Sequence, residues 1–171
     1  MNQTAVHGGT TTTPHLDVCP GNAVLVGVQG TISKVGVTLV SSIQGVCGTL
    51  VLSADGTTIS TGTTTQTPLR GGTGNSWKQY CPTNQVVIGF EGRAGACLDS
   101  VAIRCGSLSR QGSAVAVTVG STLPLVGGNG GNPFSDGCAG GQIARALNLI
   151  VNEGSWIDAM GLSCGVPSIS N

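Results

Sequence analysis

Apolar residues fall in short alternating runs along this chain. Val24, Val26 and Val28 occupy every second position, as do Val86, Ile88 and Phe90, and Val115, Val117 and Val119. A period of two is the signature of a strand with one buried face. β-Branched residues dominate these runs, and Gly, Ser, Thr and Asn interrupt them at the roughly 8–12-residue spacing of an all-β fold. Ser53-Ala54-Asp55-Gly56 predicts a hairpin turn, because Asp-Gly readily supplies the positive-φ positions of a type I′ turn. Gly141–Val151 carries a helical spacing at Ile143, Leu147 and Ile150, but its counterparts elsewhere in the chain are strands, so it is read as a strand.

Those counterparts exist because the pattern repeats three times. Cys19-Pro-Gly-Asn-Ala-Val-Leu-Val-Gly27-Val-Gln-Gly30 leads to Cys47, and Cys81-Pro-Thr-Asn-Gln-Val-Val-Ile-Gly89-Phe-Glu-Gly92 leads to Cys105. A third segment, Cys138 to Cys164, lacks the two glycines but restores the match later. There Gly154-Ser155-Trp156-Ile157-Asp158 lies under Gly95-Ala96-Cys97-Leu98-Asp99, and each Asp precedes its closing cysteine by six residues. Upstream of each opening cysteine stands a glycine pair: Gly8-Gly9, Gly71-Gly72 and Gly127-Gly128. Repeats of about 8–70, 71–126 and 127–171 within one domain spanning 1–171 predict threefold pseudosymmetry.

Cysteine spacing follows the same plan. If each unit opens and closes with a cysteine on adjacent antiparallel strands, the pairs are Cys19–Cys47, Cys81–Cys105 and Cys138–Cys164, with Cys97 left over. Cys97 reads first as a small buried apolar residue and second as a reactive or bridging thiol. Such cysteine usage in a small chain points to an oxidising, extracellular compartment. The start, Met1-Asn2-Gln3-Thr4, has no basic or apolar leader region, so a removed leader or another export route is expected.

Composition removes several classes of function. Only 8% of residues are charged and the formal net charge is zero, which speaks against nucleic acid as a partner, since phosphate binding needs clustered Lys and Arg. No apolar run reaches the roughly 20 residues of a membrane-spanning helix, so no membrane insertion is expected. Hydrophobic residues at 39% suffice for a core, which separates the chain from disordered sequences. No CxxC pair exists, and His7 and His15 stand apart from any cysteine cluster, so neither a metal site nor a cofactor is expected. Paired carboxylates in one motif, or a His at interpretable spacing from a Ser or Cys, are also missing, so the chain reads as a non-enzyme.

Two stretches resemble the jacalin-related lectins. Gly127-Gly-Asn-Gly-Gly-Asn-Pro-Phe134 with Gly154-Ser-Trp-Ile-Asp158 is similar to the first part of that family. Val87-Ile-Gly-Phe90-Glu-Gly-Arg-Ala-Gly95-Ala-Cys-Leu-Asp99 is similar to its last hairpin. In family order the segment beginning near Leu125 comes first and the one ending near Cys105 last, so the resemblance is circularly permuted and covers about half the chain. The cysteine-bracketed units resemble instead the vitelline membrane outer layer protein. Both families imply an all-β β-prism of three four-stranded Greek-key sheets.

The lectin resemblance also implies where sugars bind. One expected site combines Gly95, Ala96, Cys97, Leu98 and Asp99 with the loop containing Gly127, Gly128, Gly130 and Gly131. The other combines Gly154, Ser155, Trp156, Ile157 and Asp158 with Gly8 and Gly9. An ionised carboxylate accepts two sugar hydroxyls, and backbone amides exposed at glycine donate to them. The first unit, from Lys34, Val35 and Gly36 to the region of Ser41, has no Asp at the required place and is expected to be silent. Each Asp could equally cap a turn. Trp77, Phe134 and His15, each four residues before a cysteine, are expected to plug the core. Arg93 and Arg145 are expected in solvent or on loop carbonyls. The resulting expectation is a secreted, non-catalytic carbohydrate-binding protein with glycans as partners, gaining avidity from two sites per chain or a homo-oligomer. The alternative is a structural protein of an extracellular coat, matrix or surface assembly.

Overall fold

The computed structural model describes residues 1–34 and 36–169, and Val35 therefore lies outside the described residues. Fifteen strands follow one another, and no helix occurs among the described residues. The chain opens with β1 (Asn2–Gln3), β2 (His7–Gly8) and β3 (Thr13–Val18). One sheet follows from β4 (Val24–Ser33), β5 (Leu39–Leu52), β6 (Ile59–Gln66), β7 (Arg70–Gly71) and β8 (Asn75–Tyr80). The next contains β9 (Gln85–Ala94), β10 (Leu98–Gln111), β11 (Ala114–Thr122), β12 (Val126–Gly127) and β13 (Asn132–Gly137). The chain closes with β14 (Ile143–Asn152) and β15 (Trp156–Gly165).

Strand order is β6-β5-β4-β8 in the first sheet and β11-β10-β9-β13 in the second, with two-residue β7 and β12 pairing beside them. Three strands joined in succession and a fourth returning beside the first make a Greek key. The third sheet, β1-β15-β14-β3, has the same order, but its outer strands come from the N-terminus. Three antiparallel Greek-key sheets around one core form the β-prism that the family resemblances imply, with the threefold pseudosymmetry that the repeats predict. The helical spacing of Gly141–Val151 is overridden, as β14 pairs along its length with β15.

A bulge in each sheet explains why the alternating pattern misassigns some side chains. The register slips between Leu25 and Gly27 in β4, opposite Ile88 in β9, and between Ala144 and Ala146 in β14. The extra residue turns the strand over, so Leu25 and Val28, three positions apart, both enter the central core. Val87 with Phe90, and Ala144 with Leu147, repeat that spacing. Val24, Val86 and Ile143, on the other face, join a second cluster with Leu50 and Leu108.

All three expected disulfides form, with Cα separations of 5.5–5.6 Å, and each closing cysteine lies opposite the residue before the bulge. Each closes a loop of 24 to 28 residues, for which chain entropy gives about 3–4 kcal/mol. That matters in a core with so few aromatic rings. The hairpin between β5 and β6 is longer than the expected type I′ turn. Its six residues run from Ser53 to Thr58, and within Ser53–Gly56 only Gly56 has positive φ (71°). The Asp55 carboxylate instead ties the loop by accepting from Ser53 and Thr57.

Candidate functional site

At one end of the prism each glycine pair seals a joint between two units. The amides of Gly9, Gly72 and Gly128 donate to the carbonyls of Asp158, Ser41 and Asp99 at 3.2, 2.7 and 2.8 Å. The preceding glycines, Gly8, Gly71 and Gly127, have φ of 130°, 99° and 126°, and a Cβ there would meet those same carbonyls at 2.0–2.2 Å. The second glycine of each pair presses on the neighbouring unit: Gly9 on Ala96, Gly72 on Ser155 and Gly128 on Thr38. Only glycine fits both places, which is why the pairs recur. The structure thus brings Asp99 beside Gly127–Gly131 and Asp158 beside Gly8–Gly9. Ser41 holds the matching place in the first unit, six residues before Cys47.

The two aspartates have different surroundings. Asp99 is buried, and its carboxylate takes the backbone N–H of Gly95 and the electrostatic pull of Arg93. Burial outweighs both and pushes its pKa above the ordinary value. No side chain among the described residues hydrogen-bonds to it. Gly130 lies directly against Oδ1, where a Cβ would come to 2.3 Å. Arg93 shapes this loop from below, donating through Nε to the Asn129 and Gly130 carbonyls and through a terminal nitrogen to Gly131.

Asp158 is equally buried, but its oxygens are already engaged. Thr12 Oγ1 donates to Oδ2 at 2.6 Å and Trp156 Nε1 to Oδ1 at 2.9 Å. The half-buried Cys97 thiol also donates to this carboxylate from the neighbouring unit. Burial first, then the charges of Asp158 and Asp99, raise the thiol's pKa, so Cys97 is neither a plain apolar filler nor an activated nucleophile. A ligand hydroxyl would have to displace bonds worth about 1.5–3 kcal/mol each, as hydrogen bonds to charged groups are. Arg93 sits on loop carbonyls, as expected of it. Sequence reasoning missed Thr12, whose signal was positional: strand register sets it where the other loop has Gly131.

The remaining expectations are placed as follows. Trp77 and Phe134 are half-buried and pack on the core. His15 bonds Glu153 instead, and its ring therefore works at the surface as a polar contact. Arg145 donates to the Gly21 carbonyl, as expected of it.

By sequence, the chain matches no protein-family model and no curated protein. By structure it is similar to a mannose binding jacalin related lectin from Ananas comosus, at a TM-score of 0.62 and 19% identity over 98% of both chains. The fold is that of the jacalin-related lectins. A Malaysian banana lectin is similar to it at TM-score 0.60 and 17% identity, over 98% of this chain and 99% of that one. So is a prostate-specific WGA16 glycoprotein lectin, at 0.62 and 15%, over 98% of this chain and 100% of that one. Identities this low carry the jacalin-like β-prism and nothing finer.

Proposed function

We propose that this protein is a secreted, non-catalytic lectin that binds a sugar at the Asp99 end of the prism. The observation that carries this reading is the Asp99 carboxylate, buried among glycine loops yet free of side-chain donors among the described residues. A pyranose offers vicinal hydroxyls that donate to such a carboxylate and accept from backbone amides of the Ala96–Cys97 and Asn129–Gly130 turns. The solved neighbour from Ananas comosus is a mannose binding lectin, which supports a hexose as ligand class. Three disulfides support export to an oxidising compartment. Asp158 has the same backbone frame, but Thr12, Trp156 and Cys97 stand where sugar hydroxyls would bind, so it serves first as a brace between units. Calorimetric titration with methyl glycosides of common hexoses tests the reading: a loop-end site that is lost in Asp99→Asn is expected. Binding that survives Asp99→Asn and is lost in Asp158→Asn would reverse the assignment.

A further inference from the structure

Each sheet carries a groove on its outer face, at matching places in strand register, and the three grooves differ in chemistry. In the first sheet two cross-strand rows stand on one face. Lys78, Gln29 and Gln44 are paired in one row, and Ser76, Thr31 and Ser42 in the next. Two residues along a strand is about 7 Å and neighbouring strands are about 4.8 Å apart, so this grid has the footprint of a single pyranose ring. Leu69 adds an apolar wall to a groove of about 420 Å³.

The grid is preorganised and incompletely used. Tyr80 Oη donates to Gln29 Oε1, Gln29 Nε2 to Gln44 Oε1 at 3.0 Å, and Gln44 Nε2 to the Thr67 carbonyl at 3.0 Å. An amide has two N–H donors and two acceptor lone pairs, so each glutamine keeps one of each for a ligand. Thr31 Oγ1 bonds both Ser41 and Ser42, fixing the hydroxyl row.

The equivalent grooves lack this character. In the second sheet Glu91 and Arg93 replace Gln29 and Thr31, with Arg93 committed to the glycine loop. In the third, Leu149 stands where the first has Gly30, and Ile150 where it has Thr31. The uncharged amide and hydroxyl grid therefore belongs to the unit whose loop end has Ser41 in place of an aspartate.

We infer that the outer face of the β4–β5–β8 sheet, around Gln29, Gln44, Thr31 and Leu69, is a second binding site for a neutral pyranose residue. Amides and hydroxyls match sugar hydroxyls as both donors and acceptors, and the exposed Leu69 covers an apolar ring edge. The ligand class rests on the lectin reading; the site is separate from it.

The test is a titration of isotope-labelled protein with methyl α- and β-glycosides of mannose, glucose and galactose, followed by NMR. The side-chain amides of Gln29 and Gln44 report the groove, the Gly128 and Gly130 amides report the loop end, and the Trp156 indole serves as control. For at least one glycoside the groove signals are expected to move together, in the parent and equally in Asp99→Asn. Gln29→Ala, and independently Ser76→Tyr on the exposed rim, are expected to weaken that response tenfold or more while loop-end shifts persist. Static groove signals across the panel, shifts that vanish in Asp99→Asn, or shifts that survive Ser76→Tyr would each overturn the inference. Groove shifts without loop-end shifts would uphold it and sink the loop-end assignment instead.

Discussion

Asp99 and Asp158 stand at the same offset from equivalent cysteines, on equivalent strands, each beside a glycine pair. One carboxylate has no side-chain donor among the described residues, and the other is claimed by its own chain. The difference comes from two substitutions in register. Where one loop has Gly131, the other has Thr12, whose hydroxyl reaches Asp158. Where one turn has Cys97, the other has Trp156, whose indole N–H reaches the same carboxylate. A shared backbone frame thus does not imply a shared function. What decides is whether nearby side chains already satisfy the charge, because a buried carboxylate must be satisfied by something.

The widest separation between the two is expected from charge removal. Asp99→Asn should lower sugar affinity about 30-fold or more, since two charged hydrogen bonds at roughly 1.5–3 kcal/mol each become neutral ones. Asp158→Asn should leave sugar affinity within about twofold but destabilise the fold by about 1.5–3 kcal/mol, by weakening the charge-assisted bonds from Thr12 and Trp156. Calorimetric titration and chemical denaturation of both variants separate these effects.

Exchanging the loop residue should convert one site toward the other. Thr12→Gly frees Oδ2 of Asp158 and is expected to add one sugar site per chain to those of the parent, absent again in Thr12→Gly with Asp158→Asn. Gly131→Thr should weaken the Asp99 site about tenfold, and its cost in stability is built in, because Gly131 has φ of 59° and its Cβ would strike Ala94.

Acidification should act on the Asp99 site earlier than on an ordinary carboxylate. Its pKa is raised above 3.8 by burial, so the acceptor is lost to protonation as pH falls through that higher value, and affinity falls with it. Stability runs the other way for this group. The folded chain holds the proton more tightly than the unfolded chain, so Asp99 adds stability as pH falls through its folded pKa toward 3.8. Affinity and unfolding measured between pH 7 and 4 should show the two trends diverging.

The smallest effect concerns the residue between the two aspartates. With its pKa raised above 9.0 and its thiol half-buried, Cys97 should alkylate with iodoacetamide several-fold more slowly at pH 8 than a free cysteine. Cys97→Ala should cost about 0.5–1.5 kcal/mol, the scale of one neutral donor.

Much of this molecule is legible in the sequence because threefold repetition checks each inference against two copies. The cysteine pairs and the sheet count follow from aligned repeats, and the meeting of glycine loops with aspartates follows from the lectin resemblance. The bulges do not, since one extra residue at Val26, Ile88 or Arg145 leaves a plausible alternation undisturbed on paper while reversing which side chains enter the core. Nor does the inequality of the aspartates. Thr12 and Asp158 lie 146 residues apart, and only the pairing of β2 with β15 brings their loops together. The Gln29–Gln44 grid is likewise a product of register, invisible to motif reading because its members lie on three strands.

That the outer strands of the third sheet come from the opposite end of the chain bears on how the molecule is made. During synthesis β1, β2 and β3 emerge first and find no partner until β14 and β15 follow them out. Two sheets can close on the ribosome in the order they are translated, while the third waits for the Asn2–Cys164 register. Contacts that span the whole chain are slow to form. An N-terminal segment without its hairpin is an unpaired edge, open to capture by the last hairpin of another copy. The Thr12–Asp158 contact is therefore among the last made, and the brace between units doubles as the closing step of folding.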